Sequence, residues 1–220
     1  METKRKFAVV LAGCGNRDGA EIHESVMTLY AIAKAGCTYD IFAPDINQYH
    51  VINHFTGEAT SETRNVLVES ARIARGKIRP LSEFDAQRFD ILMFAGGFGV
   101  AKNLCTYAFD GADCAVNAEV ERAVVEMNDL GKPIGALCIS PVILAKVLSA
   151  VNITMGQDAS AIANIEKMGA IHQATGSREI VIDHDNKIVT SPCYMLDANI
   201  VDIAEGAIKT VDALVGLSTH

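Results

Sequence analysis

Three almost unbroken apolar runs each stop at a sharp turn. Residues 7–12 lead into Gly13-Cys14-Gly15, residues 89–95 into Gly96-Gly97, and residues 134–138 into Ser140-Pro141. Apolarity without alternation marks a strand covered on both faces, which antiparallel sheets open to water on one side do not need. Helical patterns fill the spaces between. One opens at Asp18-Gly19-Ala20-Glu21 and closes at Gly36, a second spans residues 63–75, and a third spans residues 118–130. Residues 39–43 read as another strand and residues 46–62 as irregular.

The last third changes character. Residues 158–168 predict a short helix. Residues 179–183 and 187–190 flank Asp185-Asn186, a hairpin signal. Residues 199–215 predict a closing amphipathic helix. The alternation predicts an α/β fold: a three-layer α/β/α sandwich with a flavodoxin-like, mostly parallel sheet and an added β-hairpin. At 220 residues, with no linker or repeat, one domain over 1–220 is expected.

Composition narrows the partners. The net charge is −8, there is no Trp, and aromatic residues make up 6 %. Neither a basic footprint nor a stacking platform for nucleic acid is present. No stretch approaches the roughly 20 apolar residues of a membrane span. Six cysteines without a C-x-x-C pair fit free thiols in a reducing compartment, so a cytoplasmic location is expected.

Cys138 sits where a core strand ends and a helix begins, with Pro141 suited to that helix's first turn. A side chain in such a turn stands clear of the sheet, like the nucleophile of an elbow. The nearby helix N-terminus is expected to favour thiolate. A buried structural cysteine is the bland alternative. Two carboxyls on the first helix, Glu21 and Glu24, come within reach of the same sheet edge, and periodicity does not separate them. A carboxyl desolvated there could hold or pass a proton near neutral pH. His23 is expected to point elsewhere on a helix whose Glu24 faces inward. The amides of Gly97 and Ile139 are placed to receive a developing oxyanion; a glycine needed only for packing is the alternative at Gly96-Gly97.

Other signals fail on inspection. A dinucleotide fingerprint starting at Gly13 needs glycine at position 18, which is Asp18, so no cofactor is expected. His50 and His54 have ligand spacing but no third partner, so no metal is expected. Arg64, Arg72, Arg75 and Arg79 read as a solvated face.

With these residues in place, the chain resembles the ThiJ/PfpI superfamily, within the class I glutamine amidotransferase-like fold. It is most similar to the ElbB family of enhancing lycopene biosynthesis proteins, also called isoprenoid-biosynthesis glyoxalases. The resemblance runs through Gly13 to Glu24, Phe42-Ala43-Pro44-Asp45, Val51 to His54, Glu62 to Val66, Gly96 to Leu104, Gly131 to Cys138, and Asp185 to Thr190. It implies a nucleophile at Cys138, a partner carboxyl at Glu24 rather than Glu21, oxyanion amides at Gly97 and Ile139, and a homodimer. Two departures count against a glutaminase or peptidase: Ala136 and Ser140 stand where amidotransferases carry glycines, and Ile139 stands where the protease-like branch has histidine. The expected function is a cofactor-independent glyoxalase for a small reactive dicarbonyl, glyoxal or methylglyoxal, linked to isoprenoid biosynthesis. The alternative is a redox-responsive or regulatory binding protein built on an oxidisable Cys138. A glutaminase fed by a partner would need a catalytic histidine, for which His172 and His184 are available.

Overall fold

The computed structural model describes residues 4–218; of the span 1–220 expected to form one domain, residues 1–3 and 219–220 lie outside the described residues. In chain order the elements are β1 (Lys6–Val10), α1 (Ile22–Lys34), β2 (Thr38–Ala43), α2 (Val66–Ile73), β3 (Arg79–Pro80) and β4 (Ile91–Phe94). Then come α3 (Tyr107–Asp110), α4 (Ala118–Asp129), β5 (Ile134–Leu137), α5 (Pro141–Leu148), β6 (Asn152–Ile153) and α6 (Ala159–Lys167). The chain ends with β7 (Ile171–His172), β8 (Val181–Asp183), β9 (Ile188–Ser191) and α7 (Ile200–Leu217).

A seven-stranded sheet has the order β3-β2-β1-β4-β5-β9-β8. Every pairing in it is parallel except β8 with β9, the expected hairpin. β6 and β7 form a separate parallel pair. The apolar runs are the central strands: Phe7 to Val10, Ile91 to Phe94, and Ile134, Ala136 and Leu137 are all fully buried. Helices α1 and α7 pack together on one face, and α4 and α5 pack together on the other. The chain moves outward from β1 to β3 and returns at β4, so the order reverses between β1 and β4. Clefts open at the carboxyl ends of strands at such a reversal. Gly13-Cys14-Gly15, Gly96-Gly97 and Cys138 follow β1, β4 and β5 at that edge.

The helix starts differ from expectation, each for a local reason. The first helix begins at Ile22, not Asp18. The Asp18 carboxylate accepts the Ile52 amide at 2.7 Å and the Gly19 amide bonds the Gly15 carbonyl, so residues 18–20 are held in a turn. Glu21 is the N-cap. The second helix begins at Val66, because Asn65 caps it by accepting from the Val68 amide at 3.0 Å. Arg64 and Arg72 do not simply face water: both reach the nearly buried Glu69. His50 and His54 are not on a helix; His54 Nε2 lies 3.7 Å from Asp18 Oδ1. Residues 100–104 wind as a single π-helical turn, a form common near functional sites.

Candidate active site

Cys138 occupies the turn between β5 and α5 with φ +60°, a left-handed conformation that costs a non-glycine residue of order 1–3 kcal/mol. Its amide bonds the Ser191 carbonyl at 2.9 Å, and the Ser140 hydroxyl donates to the Ala95 carbonyl at 2.6 Å. The ends of β9 and β4 therefore hold the strained turn from both sides.

Glu24 reaches Cys138 from the first turn of α1, and its side chain is fully buried. Its Oε1 accepts the Tyr194 amide at 3.2 Å, while Oε2 finds no conventional hydrogen-bond partner among the described residues. Glu21 is separated from Glu24 by its job: its carboxylate accepts the Glu24 amide at 2.7 Å as the helix cap. Gly96 lies directly beneath the Cys138–Glu24 pair. A Cβ there would strike both Glu24 Oε2 and Cys138 Cβ, so the pair can meet only over glycine. At Gly97, φ is +103° and a Cβ would meet Glu21 N and Gly19 O, so packing against α1 also demands glycine.

The electrostatics overturn one expectation. Burial pushes the Cys138 thiol well above its ordinary range, and the neighbouring Glu24 charge adds to the rise. The Gly97 amide, which faces the sulfur, pulls the other way with less effect. Cys138 rests as a thiol; desolvation outweighs the helix terminus. Glu24 is pushed up to about 8, first by burial, then by the Glu21 charge. The pair is uncharged at neutral pH, so a thiolate forms only when Glu24 is ionised and takes the Cys138 proton.

A cavity of about 730 Å³ opens over Cys138, with Glu24 fully buried behind the thiol. Cys138, Gly97 and Ile139 line it, together with Glu21, Asp158, Tyr107 and Phe98. His23 and Tyr194 also line it, with His23 Nδ1 2.9 Å from the Tyr194 hydroxyl. His23 therefore does not point elsewhere, as expected from the helix pattern: the first turn of α1 presents both it and Glu24 to the same site. Tyr194 and the fully buried Cys193, which has φ +43°, follow β9 in a tight turn that sequence reasoning missed. The available signal was Pro192, directly after a strand of this edge. Among the described residues, no Lys or Arg lines the cavity. His172 sits on β7, outside the lining, with Nδ1 taking the Met155 amide at 3.4 Å; His184 is exposed beyond β8.

No family model matches the chain. A human protein, glutamine amidotransferase-like class 1 domain-containing protein 3, mitochondrial, is 46 % identical, over 91 % of this chain and 79 % of that one. The chain belongs to the glutamine amidotransferase-like class 1 family. The crystal structure of an isoprenoid biosynthesis protein with amidotransferase-like domain from Ehrlichia chaffeensis superposes with a TM-score of 0.89 at 36 % identity, covering 96 % of this chain and 99 % of that one. A ThiJ/PfpI domain protein from Brachyspira murdochii shares the fold at a TM-score of 0.60 and 16 % identity, with 98 % and 96 % coverage. The expected cytoplasmic location is corrected by these relatives: the human protein and the homologous ES1 proteins of rat and zebrafish are mitochondrial. Free cysteines fit that compartment equally well, so thiol count could not distinguish the two.

Proposed function

We propose that this family member is a cofactor-independent glyoxalase that converts glyoxal, or methylglyoxal, to the 2-hydroxy acid. The observation that carries the reading is Glu24: a buried carboxyl, pushed up to about 8, with one uncommitted oxygen at Cys138 under a cavity that water and a small dicarbonyl can enter. In this reading ionised Glu24 takes the Cys138 proton as the sulfur adds to the aldehyde carbon, and passes it to the new alkoxide oxygen. Glu24 then moves a proton from one carbon to the other through an enediolate. The Gly97 and Ile139 amides stabilise the oxyanion. The absence of Lys and Arg from the lining favours an uncharged substrate over one carrying a carboxylate, such as free glutamine. His172 and His184 lie outside the lining, which also counts against a glutaminase. The redox-sensing alternative called for an exposed, acidic thiol; Cys138 is 7 % exposed and its pKa is raised, which weighs against it.

A role connected to isoprenoid biosynthesis, named for the Ehrlichia protein, and assembly as a homodimer belong to the same proposal. The test is steady-state glyoxal turnover without added thiol. Wild type should turn over, and Cys138→Ala and Glu24→Gln should each lose at least about 10²-fold. Undetectable wild-type turnover in folded protein would overturn the reading.

A further inference from the structure

The proposed reaction moves more protons than Glu24 can carry. Glu24 Oε1 is committed to the Tyr194 amide, which leaves Oε2 as its one working oxygen. Resting on the glyoxalase reading, the geometry points to His23, held by Tyr194, as a second acid–base group that serves the oxygens while Glu24 serves the carbons.

The other titratable side chains at the cavity, apart from Cys138 and Tyr194, already serve elsewhere. The Glu21 carboxylate caps α1 through the Glu24 amide, and the Asp158 carboxylate caps α6 through the Ala161 amide, each at 2.7 Å. The Tyr107 hydroxyl accepts from Asn164 at 3.2 Å. His23 is different. It sits at the exposed mouth, its Nδ1 faces the Tyr194 hydroxyl at 2.9 Å, and Nε2 is the nitrogen left for a ligand. A hydroxyl can donate or accept, so Tyr194 supports either imidazole tautomer. Nε2 can therefore give a proton in one step and take one in the next. Tyr194 joins both proton carriers: its amide holds Glu24 and its hydroxyl holds His23.

The steps balance without an added oxidant. Sγ adds to C1 of glyoxal, and its proton passes through Glu24 to the C1 oxygen, giving the hemithioacetal S–CH(OH)–CHO and leaving Glu24 ionised. Glu24 takes the proton from C1 and returns it to C2. His23 takes the proton from the C1 oxygen and supplies one to the C2 oxygen. C1 is thereby oxidised and C2 reduced, giving the thioester S–C(=O)–CH2OH. Water then attacks the thioester, losing a proton to His23, and Sγ leaves and is reprotonated. The product is glycolate.

The test compares wild type, His23→Ala, Tyr194→Phe and the double variant on glyoxal, with and without free imidazole. His23→Ala should lower kcat about 10²-fold, with KM within about twofold, and accumulate the glycoloyl thioester on Cys138 in mass spectra. Free imidazole should restore part of the loss, which a merely structural role would not allow. Tyr194→Phe should lower kcat about tenfold and add nothing in the His23→Ala background, since its hydroxyl acts through the ring. Wild-type turnover with His23→Ala within about twofold, or a loss that imidazole leaves unchanged, would overturn the assignment to His23 alone. No wild-type turnover would overturn both this assignment and the glyoxalase reading.

Discussion

Cys14 and Cys138 follow β1 and β5, core strands on either side of β4, at the same edge of the sheet, and burial raises both thiols. Their neighbours differ. The carboxylate near Cys14 is Glu69, which is bound to Arg72 at 2.8 Å and approached by Arg64 at 3.7 Å. Two guanidinium groups thus engage this carboxylate, and it serves as their anchor. The carboxyl near Cys138 has no Lys or Arg beside it among the described residues and is pushed up to about 8. In the proposed reading, a place at the strand ends does not by itself make a thiol a nucleophile; a neighbour with a movable proton is also needed.

The sharpest break in this pairing is substitution. Cys138→Ala should cost at least about 10²-fold in glyoxal turnover, while Cys14→Ser should stay within about twofold. Equal losses would place the chemistry elsewhere. Next in size is the pH profile. Glu24 must be ionised to accept the Cys138 proton, so turnover should climb nearly tenfold per pH unit below about 8 and level off above it. A flat profile from pH 6 to 9 would remove Glu24 as the base.

Labelling order is a smaller effect. Cys14 and Cys37 are partly exposed while Cys138 is buried, so N-ethylmaleimide at pH 7 should mark the first two several-fold faster. Peptide mapping that finds Cys138 first would contradict a thiol resting state. The smallest effect is on stability. The folded state raises the Glu24 pKa, so its stabilising contribution is complete below the ordinary carboxyl value of 4.5 and is lost as pH rises to about 8. Glu24→Gln removes that loss and should raise the melting temperature by a few degrees more at pH 8.5 than at pH 5. An equal shift at both would show that Glu24 does not titrate in the fold.

The sheet was legible because strands buried on both faces leave a purely local mark, as in residues 7–12 and 89–95. Cys138 was legible for the same reason: a run ended and a proline-led helix began. Glu24 was only half legible. Glu21 and Glu24 lie one turn apart, and what separates them is the capping bond between them, which the apolar pattern does not record. Tyr194 was not legible, since it meets Glu24 and His23 across 170 and 171 residues of chain. The thiolate was misread because proximity to a helix terminus is visible in sequence and desolvation is not.

The two rims of the sheet carry a consequence for association. β3 is two residues long and includes Pro80, which has no amide hydrogen to offer; β8 is three residues long. A longer bare strand would template pairing with another chain. This sheet presents almost no backbone ladder to extend, so both of its rims disfavour edge-to-edge pairing between folded copies of the chain.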